Sequence, residues 1–269
     1  MTGARGTTTG GSADDVRLAG ELVRDAGRLA LAMRRGGIAA EQKSSISDLV
    51  TAADRAAEES IVGRLRQERP DDGVLGEEGS AHVGHSGRRW VIDPVDGTYN
   101  FVAGLTWWCS AVALTEGEGE AERVLLGAVY HPHEDVVYVG GPGVPTTRNG
   151  ERLPALEDRP LGESCLTTYL HPPFYGGAVG DAFGRVASGA ATLRMLGSGT
   201  MDLTAIAQGM LHVSCQHSVP PWDRLPGLGL VLGAGGEGRQ VHAAGVVWSV
   251  TGARTAVEDA CAALIRTGG

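Results

Sequence analysis

Apolar residues recur at helical spacing near the start of the chain: Val16, Ala19, Leu22, Val23, Ala26, Leu29, Ala30 and Met33. This period predicts an amphipathic helix opened by Asp14 and Asp15 and closed by Arg34, Arg35, Gly36 and Gly37, with cations at the negative end of the helix dipole and glycine as the stop. A second helix is expected from about Ala52 to Arg69, ended by Pro70 and the Asp71-Asp72-Gly73 turn. The pattern then shortens into strands. These are Gly73–Gly76, the apolar run Trp90-Val91-Ile92 that stops at Asp93, Trp108–Thr115, Val124–His131 and Val136–Val139, with Asn149-Gly150 as a hairpin turn.

Beyond about residue 160 strands and helices alternate. Strands are expected at Cys165–Leu170, Thr192–Leu196, Leu211–Cys215 and Val246–Val250, and helices at Gly180–Ser188, Gly199–Met210, Pro221–Leu232 and Thr255–Ile265. Such alternation predicts an α/β half (about 161–269) packed on an α+β half (about 14–160) in one domain spanning 14–269. The Gly- and Thr-rich start, residues 1–13, carries no apolar period and reads as a disordered tail.

With 269 residues and 42% hydrophobic content, the chain can bury a sizeable core. Its net charge of −9 argues against nucleic acid or an anionic membrane as the main partner. It does not argue against a phosphorylated metabolite, provided a metal supplies local positive charge. No transmembrane run or signal segment is read. Cys109, Cys165, Cys215 and Cys261 form no CxxC pair, so a zinc site of that type is disfavoured and a cytoplasmic protein with reduced thiols is expected.

Three acidic segments carry candidate chemistry: Gly76-Glu77-Glu78-Gly79, Asp93-Pro94-Val95-Asp96-Gly97-Thr98 and Trp222-Asp223. In the second, an apolar strand runs into a carboxylate, Pro94 stiffens the turn, and a tight turn can aim Asp93 and Asp96 at one point. Gly97 permits close backbone approach, and Thr98–Asn100 opens a helical turn whose N–H groups can face an anion. Hard divalent ions want such oxygen ligands, and a pair of them can serve phosphoryl chemistry. Taken singly, the hexapeptide also suits an ordinary surface turn, and the other two segments are weaker still. Only their joint occurrence points to a metal site.

Asp93-Pro94-Val95-Asp96-Gly97-Thr98-Tyr99-Asn100-Phe101 resembles the signature D-P-[ILV]-D-G-T-x-N-[FY] of the inositol monophosphatase family. Gly76-Glu77-Glu78 upstream, Pro221-Trp222-Asp223 downstream, the stretch Lys43…Asp48-Leu49-Val50-Thr51…Asp54 and Gly197-Ser198-Gly199 resemble further segments of that family, and together they span about residues 14–266. The resemblance implies an α-β-α-β-α layered sandwich and Mg²⁺-dependent hydrolysis of a small phosphate monoester by a metal-activated water. It implies two or three Mg²⁺ ions, with Mn²⁺ as a substitute, held by Glu77, Asp93, the Val95 carbonyl, Asp96 and Asp223. Glu77, Thr98 and Asp54 are implied as the catalytic group. Asp96, Gly97, Thr98, Ser198, Gly199, Gln216 and Asp223 are implied as substrate-binding, and Lys43 as a loop residue near the metals. A homodimer and lithium sensitivity are family-level expectations.

An inositol monophosphate is the lead substrate, with histidinol phosphate as the alternative and a catalytically silent metal- or ligand-binding relative as the non-enzyme alternative. Gln216 stands seven residues before Asp223, where inositol phosphatases of the family often carry Glu; it keeps hydrogen bonding but offers a cationic substrate no charge. Arg224-Leu225-Pro226 replaces the small residues common after the aspartate, and the hairpin between Gly235 and Val246 looks shortened. Gly227-Leu228-Gly229 is read as close helix packing rather than a nucleotide loop, His131-Pro132-His133 as a solvated turn, and Trp107-Trp108 as core or interface.

Overall fold

The computed structural model describes residues 11–37, 40–42, 49–117 and 119–266. Lys43, Asp48 and the first ten residues of the expected tail lie outside them. Along the chain, α1 (Ala13–Arg35) is followed by a small hairpin of β1 (Ala40–Gln42) and β2 (Leu49–Thr51), then α2 (Ala52–Glu68). Both helices open with capping boxes, Ser12 with Asp15 and Thr51 with Asp54, which satisfy backbone N–H groups of the first turn. There follow β3 (Gly73–Gly76), β4 (Ala81–His82), β5 (Arg88–Asp96), the short α3 (Thr98–Ala103), β6 (Cys109–Glu116), β7 (Arg123–His131), β8 (Val136–Gly141), β9 (Val144–Arg148) and β10 (Glu151–Arg152). The second part holds β11 (Cys165–Thr167), α4 (Gly177–Gly189), β12 (Thr192–Arg194), α5 (Gly199–Ala207), β13 (Val213–His217), α6 (Pro221–Gly233), β14 (Glu237–Ala243), β15 (Val246–Gly252) and α7 (Arg254–Ile265).

The strands from Gly73 through Arg152 form an eight-stranded sheet in the order β10-β9-β8-β7-β6-β5-β3-β4, and those from Cys165 a five-stranded sheet in the order β12-β11-β13-β15-β14. Helices α1 and α2 lie on one face of the large sheet, burying Leu18, Leu22, Ile61 and Leu65 against Trp90, Ile92 and Leu114. Helices α5 and α6 fill the space between the sheets. Helices α4 and α7 cover the far face of the small sheet around Phe183, Val186 and Trp248. The result is the five-layer α-β-α-β-α order. Among the described residues no helix is long and apolar enough to cross a membrane.

Three sequence expectations need correction. First, β5 does not stop at Asp93. It continues to Asp96, because a bulge absorbs Pro94. Second, the hairpin between Gly235 and Val246 is not short: β14 pairs with β15 over seven residues, from Glu237↔Gly252 to Ala243↔Val246. Its tight turn uses Ala244 and Gly245, both at positive φ, and its half-exposed polar sequence hides it from an apolar-run search. Third, His131 is not solvated. It is buried at the end of β7, with Nε2 2.9 Å from the Thr106 carbonyl. The glycines of α6 do serve close packing: a Cβ at Gly229 would lie 2.5 Å from the Gly127 nitrogen.

Candidate active site

The site forms where β5 ends against the seam between the two sheets. Asp93 pairs with Ala111 and Asp96 with Cys109, so three steps on β5 match two on β6. In a regular strand, positions three apart face opposite sides. The extra residue reverses that alternation. Pro94 has no N–H to lose inside the bulge, and its carbonyl accepts a hydrogen bond from Ser110 Oγ at 2.5 Å. Helix α6, opened by Pro220 and Pro221, brings in Asp223 from the opposite side. One carboxylate oxygen from each of Asp93, Asp96 and Asp223 lies within 4.8 Å of the others.

Glu77 joins them through strand pairing. β3 runs parallel to β5 with Gly76 beside Ile92, and the Glu77 N–H donates to the Ile92 carbonyl at 3.2 Å. Glu77, just past the end of β3, and Asp93, at the start of the β5 bulge, therefore line the same cavity, about 120 Å³ in volume.

The electrostatics of this cluster are unfavourable as they stand. Asp93 is 1% exposed and neither carboxylate oxygen has a hydrogen-bond partner. Burial, then the charges of Glu77, Asp96 and Asp223, push its pKa well up. Asp96 is also raised by burial, although it accepts from Ser198 Oγ at 2.9 Å and from the Thr200 N–H at 2.5 Å. A buried carboxylate with no donors costs several kcal/mol unless it is neutralised or coordinated. The donor set is all oxygen, which fits a hard divalent cation such as Mg²⁺ or Mn²⁺. The residues present therefore fit the metal that the signature implies.

Beside the carboxylates, Thr98 Oγ1 lies 3.2 Å from Asp54 Oδ1 and 3.0 Å from the Val95 carbonyl. Asp54 is fully buried in the first turn of α2. Its other oxygen accepts from the Thr51 N–H at 2.9 Å and from the Thr51 hydroxyl. Burial raises its pKa, and the Thr51 and Thr98 contacts oppose the rise. Gly97, at φ 91°, turns the chain from β5 into α3, and a Cβ there would lie 3.0 Å from that of Ser198.

The remaining candidates separate. Gly199 and Gln216 line the cavity. Ser198 does not: it is 2% exposed, caps α5 and donates to Asp96. Lys43 is outside the described residues. Sequence reasoning does not single out Tyr99 and Tyr169, which also line the cavity. Tyr99 sits at the open position of the signature, and nothing in the local pattern marks Tyr169. Asn100 stands in the sequence only as a signature letter; its amide donates to the Trp107 and Leu196 carbonyls, both at 2.8 Å, tying α3 to the loop that enters α5.

The family model described as "Inositol monophosphatase family" matches residues 13–266. The chain belongs to the inositol monophosphatase family. It is 33% identical over 196 residues to a fructose-1,6-bisphosphatase/inositol-1-monophosphatase of Thermotoga maritima, covering 73% of each chain. It is 32% identical over 204 residues to the Nus factor SuhB of Salmonella typhimurium, covering 74% of each. Among solved structures, the inositol monophosphatase of Thermotoga maritima superposes with a TM-score of 0.79 at 28% identity, covering 93% of this chain and 96% of that one. Membership makes this a chain of a metal-dependent phosphatase family, with its acidic cluster where a metal can bind.

Proposed function

We propose that this protein hydrolyses a small, soluble phosphate monoester in a Mg²⁺-dependent reaction, with an inositol monophosphate as lead substrate. The observation that carries the reading is Asp93: a buried carboxylate, without a hydrogen-bond partner, converging with Asp96 and Asp223. Asp93, Asp96, Asp223, Glu77 and the Val95 carbonyl would hold the metal. When bound, divalent ions would neutralise phosphoryl charge and acidify a water.

The chain's own groups complete the chemistry. The Thr98 hydroxyl donates to Asp54 or to the Val95 carbonyl. With its proton directed to Asp54, its lone pairs would be free to accept a hydrogen bond from the attacking water, and the Val95 carbonyl would be free to help hold the metal. Asp54 is held by Thr51 and so fixes that direction. Glu77, at the cavity wall, is the remaining carboxylate able to take a proton. The Gly97 and Thr98 N–H groups would hold phosphate oxygens as negative charge builds.

No cationic side chain lines the cavity among the described residues, which favours a substrate with a single phosphate. Gln216 can hydrogen-bond ring hydroxyls without charge, but it stands where inositol phosphatases of the family often carry Glu, so it weakens the inositol phosphate as well as the amine-bearing substrate. A cytoplasmic homodimer belongs to the same reading; four buried free cysteines suit a reducing compartment. A second reading is a metal- or ligand-binding role, supported only by similarity to a protein named as a Nus factor, SuhB.

The test is Mg²⁺-dependent phosphate release from inositol 1-phosphate, histidinol phosphate, adenosine 3′,5′-bisphosphate, fructose 1,6-bisphosphate and glycerol 2-phosphate, with Asp93→Asn beside wild type. Inositol 1-phosphate standing about a hundredfold above the rest in kcat/KM, about 2.7 kcal/mol, supports the proposal. Equal, negligible release from both proteins supports the binding-only reading.

A further inference from the structure

Glu58 is a buried carboxylate that the mechanism does not use. It lies on α2 one turn beyond Asp54, so the two side chains share a helix face. Glu58 is 2% exposed and is absent from the cavity wall. Its two oxygens divide between two backbone donors: Oε2 accepts from the Glu78 N–H at 2.9 Å, and Oε1 from the Ser80 N–H at 3.0 Å. Those donors belong to the turn between β3 and β4, closed by the Gly76 N–H to the Ser80 carbonyl at 2.7 Å. Glu77 is the first of the three residues inside that turn, followed by Glu78 and Gly79.

The fit is close. A Cβ on Gly76 would lie 2.3 Å from Glu58 Oε2, so glycine at 76 is what lets the carboxylate sit against the turn. Gly79, at φ 104°, completes a backbone path that points the Glu78 and Ser80 N–H groups inward at one anion. On its other flank the turn is fixed by the Glu77 N–H to the Ile92 carbonyl, next to Asp93. The backbone of residues 76–80 is thus held from two sides, by β5 and by Glu58.

We infer that Glu58 is a positioning residue for Glu77: its carboxylate is the internal anion around which the 76–80 turn folds, and that fold aims Glu77 at the metal cluster. The inference rests on the metal-site reading above. Helix α2 then sets two parts of the site at once, with Asp54 aligning Thr98 and Glu58 aligning Glu77. Replacing Glu58 with Gln preserves size but presents an NH₂ group to one of the two N–H donors. Replacing it with Asp preserves charge but falls one methylene short.

The experiment is Mn²⁺ binding followed by electron paramagnetic resonance on wild type, Glu58→Gln, Glu58→Asp and Asp93→Asn. Metal-free thermal unfolding and Mg²⁺ activation curves accompany it. Both Glu58 variants are expected to bind Mn²⁺ about tenfold or more weakly, the range for groups that orient a metal ligand. Their half-activating Mg²⁺ concentration should rise in parallel, and because Glu77 is also the proposed proton acceptor, kcat at saturating metal should fall as well. If Glu58→Gln fails to fold, Glu58→Asp carries the test alone. Wild-type Mn²⁺ affinity in a folded Glu58 variant, even one of lowered melting temperature, overturns the inference and leaves the metal site standing. Absence of Mn²⁺ binding by wild type, with Asp93→Asn indistinguishable from it, overturns the metal-site reading and this inference with it.

Discussion

Asp93 and Asp96 converge because one extra residue is folded into β5 between them, with Asp93 opposite Ala111 and Asp96 opposite Cys109. The same bulge that brings these two carboxylates to the candidate metal site also gathers acidic groups where they are buried. The apo protein stores that cost, and substitution should release it. Asp93→Asn is expected to raise metal-free stability by about 1–3 kcal/mol, the scale of an unsatisfied buried polar group, while abolishing metal-dependent phosphate release. Urea denaturation in chelator checks the first half; a destabilised Asp93→Asn would mean that Asp93 has partners which the geometry does not show.

Thr98 is expected to act through its hydroxyl. Thr98→Ala should lower kcat by about a hundredfold with little change in Mg²⁺ activation, and Thr98→Ser should recover most of it. Steady-state kinetics at saturating metal separates this from a loss of binding.

Much of the architecture is legible in the chain. The α1 and α2 boundaries fall within a residue or so of expectation, because capping residues and basic or Pro-Gly ends mark them. The four carboxylates are legible from their motifs. The bulge is not, since a turn and a bulged strand use the same Asp-Pro-x-Asp letters and only the partner strand decides between them. Strand β14 escapes because one of its faces meets solvent and its residues lack an apolar run. Glu58 is invisible because an acidic residue in an amphipathic helix reads as solvated; its burial depends on a turn about twenty residues away in sequence. Family resemblance places Ser198 with substrate, and the structure turns it toward Asp96 instead.

The seat of α6 depends on glycine. A Cβ at Gly127 would lie 2.0 Å from the Pro226 carbonyl oxygen, a backbone atom with nowhere to move. Gly127→Ala should destabilise by about 3 kcal/mol and weaken metal binding by shifting Asp223. Gly184→Ala, on α4 where nothing lies within 4 Å, should instead be neutral or stabilising by up to about 1 kcal/mol. Denaturation midpoints of the pair check the contrast.

Stability should also carry a pH signature from Asp202. This residue is 3% exposed and accepts the Trp107 Nε1–H at 2.9 Å. Burial pushes its pKa from 3.8 to about 7. The folded state therefore holds the proton more tightly, so this contribution is fully present below about pH 4, is lost as pH rises toward about 7, and is flat beyond. Asp202→Asn, which keeps an acceptor for Trp107, should flatten the unfolding free energy over that window. An unchanged slope would place the titration elsewhere.

Gln216 should tune which alcohol is accepted. Gln216→Glu is expected to shift kcat/KM toward amine-bearing substrates by about tenfold, or about 1.4 kcal/mol, relative to neutral ones. Paired assays on histidinol phosphate and inositol 1-phosphate read the ratio directly.

The most direct test of the metal site is a crystal structure grown with Mn²⁺ and inorganic phosphate, read by anomalous scattering. Manganese peaks are predicted within coordination distance of Asp93, Asp96 and Asp223, with phosphate facing the Gly97 and Thr98 N–H groups. An ordered cluster that stays free of manganese while the ion binds elsewhere would contradict the assignment.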